Sequence, residues 1–104
     1  MARSGPLYAI IAITDTADIV AAVTGGRIRV RALFLVASGA CTAVIKSGTG
    51  GTALTGTIKL QDSGGFILPE SDGGWMVTAA TTALNITLST PTTVGGCLVY
   101  EVES

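Results

Sequence analysis

Six cations, seven carboxylates, two thiols and no histidine make up the reactive inventory of this chain. Without an imidazole there is no ordinary Ser-His or Cys-His pair to activate a nucleophile. Paired carboxylates can do acid–base work, and Asp15/Asp18 and Glu70/Asp72 are the close pairs outside the C-terminus. Asp15 and Asp72 stand in turn contexts, however, where an aspartate satisfies neighbouring backbone N–H groups. Oxygen ligands at Glu70 and Asp72 would suit calcium, but the spacing of a known calcium loop is missing. The run Ser47-Gly48-Thr49-Gly50-Gly51-Thr52 looks like a phosphate cradle. It lacks the P-loop lysine and a following helix, so a hairpin connection is expected. Cys41 and Cys97 sit in apolar strand contexts and read as free buried thiols rather than a disulfide. The chain is therefore expected to be no enzyme and to use no metal or cofactor.

What remains is surface contact, and its best clue is the run RIRVRALFLVAS at residues 27–38. Arg27, Arg29 and Arg31 fall on one face of a strand, Ile28 and Val30 on the other. From Ala32 onward the alternation gives way to Leu33, Phe34, Leu35 and Val36. Strict period two puts Leu33 and Leu35 on the arginine face, where a second layer or a sister subunit must cover them. Arg29, Arg31, Leu33 and Leu35 are thus candidate subunit-interface residues. Tyr8 and Trp75 are candidate exposed contacts, although a lone indole at the start of a strand is more often part of a core.

The elements that position these residues are strands. Five Gly-Gly pairs punctuate the chain, four of them between β-rich runs. The fifth, Gly95-Gly96, lies inside the last run, where a bulge or a close backbone approach is expected. ALNITLS at residues 83–89 sends Leu84, Ile86 and Leu88 inward and Asn85, Thr87 and Ser89 outward. The last run sets Leu98, Tyr100 and Val102 opposite Val99, Glu101 and Glu103. About eight short strands at this spacing indicate an all-β, antiparallel β-sandwich, jelly-roll-like. The 104 residues make one domain, divided into an N-terminal strand or arm segment (1–24) and a sandwich body (25–104).

Charged residues are 12% of the chain, hydrophobic ones 48%, and the mean hydropathy is +0.62. An ordinary soluble domain carries about 25% charged residues, so much of this surface is expected to face protein. A net charge of −1 argues against a nucleic-acid footprint, which needs clustered excess base. Residues 74–100 are free of charge, but Asn85, Pro91 and the glycines exclude an apolar helix, and no membrane span is expected.

The runs ALFLVASGACTAVIKSGTGGTALTG, GGFILPESDGGWMVTAATTALNITLS and VGGCLVYEVES resemble small virion proteins of tailed phages and prophages, of the head decoration (cement) type. The likeness covers roughly residues 27–102 and rests on turn and strand motifs. It implies a sandwich or jelly-roll module that forms a homotrimer on the outer surface of the capsid, binds the major capsid protein and bridges capsomers. Synthesis would be in the host cytoplasm, and no contact residue carries over. The alternative is a tail, fibre or capsid-displayed module that binds a receptor or glycan through Trp75, Tyr8 and the glycine-rich loops.

Overall fold

The computed structural model describes residues 6–71 and 73–103. In chain order the strands are β1 (Leu7–Ile13), β2 (Ala17–Val20), β3 (Arg27–Ala37), β4 (Cys41–Ser47) and β5 (Thr52–Ala53). They continue with β6 (Ile58–Leu60), β7 (Gly65–Leu68), β8 (Met76–Val77), β9 (Leu84–Leu88) and β10 (Val94–Glu103). No helix forms among the described residues, as expected for runs rich in β-branched side chains. The first sheet runs β1-β10-β3-β7 with β8 also on β3; the second runs β2-β9-β4-β5 with β6 also on β4. All pairings are antiparallel. β5 and β6 share one edge of β4, and β7 and β8 share one edge of β3, so eight strand positions are filled. Their order is that of a jelly roll. The fold is the expected antiparallel sandwich; two strands of only two residues are too short to leave an alternating pattern in the sequence.

The core lies between the sheets. Ile11, Ile28, Val30, Leu33, Leu35 and Leu98 of the first sheet are buried in one cluster with Val20, Ile45, Leu84, Ile86 and Leu88 of the second. Ile11 and Val20 belong to this cluster, so β1 and β2 are strands of the body. From Leu7 onward there is no separate arm, and no packing boundary falls at residue 24. The N-terminal residues 1–5 of that expected arm lie outside the described residues.

The strict alternation read along β3 is broken, and the break decides which residues face out. Val99 pairs with Ala32, but the next residue of β10, Tyr100, pairs with Val30. One residue of β3 is therefore extra, a β-bulge at Arg31 and Ala32. Its carbonyls are held from the next segment: Trp75 N–H donates to Val30 O at 2.7 Å and Ser71 N–H to Arg31 O at 3.1 Å. The extra residue shifts the parity by one. Leu33 and Leu35 leave the arginine face and join Ile28 and Val30 inside, 4% and 1% exposed. Their cover is the second sheet of the same chain, so they are not subunit-interface residues.

Two glycines make room for β3. A methyl group on Gly96 would run into the Phe34 carbonyl oxygen, and one on Gly65 into that of Leu35. The close backbone approach expected at Gly95-Gly96 is thus present. Gly96→Ala forces β10 off β3, and a loss of about 1–3 kcal/mol, typical of overpacking, is expected. A urea titration checks it: an unchanged midpoint would mean the strands can part without cost.

Asn85 lies on the outer face of the second sheet as expected, yet it is shut off from water there. It is fully buried, because Asp18 on β2 and Thr49 in the β4–β5 turn close over it. Its Nδ2 donates to Asp18 Oδ1 at 2.9 Å and Thr49 Oγ1 at 3.3 Å, and Thr87 Oγ1 donates to its Oδ1 at 2.7 Å. Every polar atom of the amide is thereby engaged, as burial requires. The loop that resembled a phosphate cradle is this hairpin connection, with Gly48 and Gly50 at positive φ.

Candidate functional site

The bulge divides the outward side of the first sheet into two unlike halves. On one side of it, Arg29 and Arg31 of β3 lie beside Glu101 and Glu103 of β10, with Arg29 directly opposite Glu101. The Arg29 guanidinium donates to both carboxylate oxygens of Glu103 and to Gly73 O at 2.9 Å. Arg31 spans two acids, Glu101 at 2.8 Å and Glu70 at 2.7 Å. Both strand carboxylates are buried under these cations. The hydrogen bond that Arg29 donates to Glu103 raises the Arg29 pKa above its ordinary value, burial opposes that, and the charges of Glu103 and Glu101 add to the rise. Arg29 and Arg31 thus close ion pairs within their own chain.

On the other side of the bulge the outward face carries no charge. Register places Tyr8, Val99 and Ala32 in one row across the strands, Ile10, Cys97, Phe34 and Ile67 in the next, and Ala12, Gly95, Val36 and Gly65 in a third. Tyr8 is 77% exposed, Ile10 82%, Ile67 73%, Val36 48% and Phe34 44%. These five side chains expose roughly 600 Å², at the top of the range of about 300–600 Å² for the largest patch on a monomer. Hollows of about 230 and 380 Å³ lie on either side of the Phe34–Ile67 ridge. The outer face of the second sheet is more polar, since Thr42, Lys46 and Thr87 stand there with Val44 and the Asp18–Asn85 network.

The candidate residues are therefore not brought together as expected. Leu33 and Leu35 are core, Arg29 and Arg31 are a braced charged end, and Tyr8 belongs to the apolar half. Trp75 is half-exposed beyond β3, its Nε1–H donating to Pro69 O at 2.7 Å. Tyr8 on β1 and Trp75 near β8 flank opposite edges of the sheet and form no common aromatic platform. Reading the sequence at strict period two missed Ile10, Phe34, Val36 and Ile67, which take the place assigned to Leu33 and Leu35. Cys41 is buried and free, and Cys97 is free and half-buried in the apolar face. Among the described residues no three of Cys, Asp and Glu gather as metal ligands. Glu70 binds Arg31, and the suggested calcium partner Asp72 lies outside the described residues.

No protein-family model matches the chain, and no curated protein matches it. Among solved structures it is similar in fold to a protein of the Bacillus endospore appendages, a family of disulfide-linked pili. The TM-score is 0.53 at 15% identity, over 96% of this chain and 85% of the other. PirA aligns over 92% of this chain and 90% of its own with 14% identity and a TM-score of 0.33. The first likeness shows a shared β-fold and nothing finer.

Proposed function

We propose that the chain is a structural virion protein that decorates the outside of a tailed-phage head and works by association rather than chemistry. The observation that carries this reading is the uncharged outer half of the first sheet. Five large apolar side chains stand together in water there. Leaving them exposed opposes solubility, at about 1.5–3 kcal/mol for each side chain that could be fully buried, so a protein cover is the physical expectation. The sequence resemblance supplies the particle, a capsid whose major protein would be the second partner. Many weak, symmetry-related contacts would then strengthen the shell. The test is to add purified protein to expanded heads that lack it. Saturable binding with greater resistance of the heads to heat is expected, and heads left bare at every concentration would overturn the reading.

A second reading, a subunit of a self-assembled filament, draws on the fold shared with the pilus protein and uses the same apolar face. Electron microscopy of the concentrated protein separates the two, because filaments forming without any capsid would favour it. The receptor- or glycan-binding alternative is weakened by the separation of Tyr8 from Trp75.

A further inference from the structure

We propose that a second copy of this chain covers the apolar half of the first sheet, outer face against outer face about a two-fold axis. The roughly 600 Å² exposed by its five large side chains approaches the about 800 Å² that each partner buries in a standard interface. Its three rows of side chains carry no charge, and Glu70 at the rim of the smaller hollow is already paired with Arg31, so the best complement is a surface as apolar as itself. It also holds both halves of a fit. Ile10 and Ile67 stand up as knobs, and hollows of about 230 and 380 Å³ beside Phe34 can receive them. A two-fold contact uses one patch twice, whereas a closed three-fold ring needs two different patches that match each other. The outward side of the first sheet offers one such patch, and the second sheet turns a polar network outward. The pairing is therefore two-fold, unlike the trimer that the resemblance implies.

The inference rests on the self-associating structural reading only through the face the two share. Its test is the solution mass of the full chain by light scattering and sedimentation equilibrium, with no capsid present. A species of twice the 10.4 kDa chain mass is expected. Ile67→Lys and Ile10→Lys, on different strands and both well exposed, should each weaken the dimer about 30-fold or more, the effect of losing an interface hot spot. Thr57→Lys, on an exposed loop before β6, should leave it intact. Circular dichroism verifies that each variant is folded. Maleimide labelling gives a second readout: Cys97 should react faster in Ile67→Lys than in the parent, while buried Cys41 stays slow in both. A wild-type protein that is monomeric or trimeric, or a dimer that survives both lysines, overturns the proposal. Heads decorated by a protein that stays monomeric in solution would sink the pairing and spare decoration; a two-fold dimer that leaves heads bare would do the reverse.

Discussion

A chain lacking Phe34 should fail to reach the native fold, whereas a chain lacking Ala32 should reach it. The two deletions are two residues apart in one strand, and only the bulge distinguishes them. Removing Ala32 takes out the extra residue, so Arg31 moves opposite Val99 while Ile28, Val30, Leu33, Leu35 and Ala37 all keep their inward parity. What is lost is the fit of the bulge carbonyls to Ser71 and Trp75, and a cost of about 2 kcal/mol is expected from strained or broken hydrogen bonds. Removing Phe34 leaves the bulge in place and shifts everything after Leu33 by one. Leu35 and Ala37 then point to water, and Val36 points into the core. Exposing a core leucine alone costs about 2–5 kcal/mol, and the whole stability of a domain is about 5–15 kcal/mol. Urea titration followed by circular dichroism reads both. Equal behaviour of the two deletions would show that the register is not set as described.

The second large effect is expected at the charged end. Arg29→Met should cost about 3–5 kcal/mol, because the buried Glu103 carboxylate loses the guanidinium that lies on both of its oxygens. Arg29→Met with Glu103→Met should recover most of that loss, since replacing both members of a buried pair by apolar groups is often neutral. The two singles and the double form a cycle whose coupling free energy isolates the pair. A single variant as stable as the parent would show that the pair contributes nothing. The pH dependence follows from the sign of the shift. A cation whose folded pKa is raised stabilises below its unfolded value and loses that contribution only as pH rises through the folded one. For Arg29 that window lies at strongly alkaline pH, so the effect of Arg29→Met should be the same at pH 7 and pH 9.

Most of the architecture was legible in the sequence because it is local. The alternation of Leu84, Ile86 and Leu88 with Asn85, Thr87 and Ser89, and that of Leu98, Tyr100 and Val102 against Val99, Glu101 and Glu103, carry their own period. The faces of β3 were not legible. Leu33, Phe34, Leu35 and Val36 are similar in hydropathy, so only parity sorts them. Parity is set at a distance, by the pairing with Val99 and Tyr100 and by the hydrogen bonds from Ser71 and Trp75. Asn85 is buried for a similar reason, through contacts with Asp18 and Thr49 that lie far away in the chain. The ion pairs did leave a signal. Glu101 and Glu103 repeat the two-residue spacing of the arginines, and antiparallel pairing of the two runs sets charge against charge.

The bulge leaves an uncharged sheet face outward for another protein chain to cover. The most direct measurement is a cryo-electron-microscopy map of the assembled particle at side-chain resolution. The expected result is a second protein chain packed over Phe34, Val36 and Ile67, with Leu33 and Leu35 enclosed within their own sandwich. A map in which Phe34, Val36 and Ile67 face open solvent would contradict it.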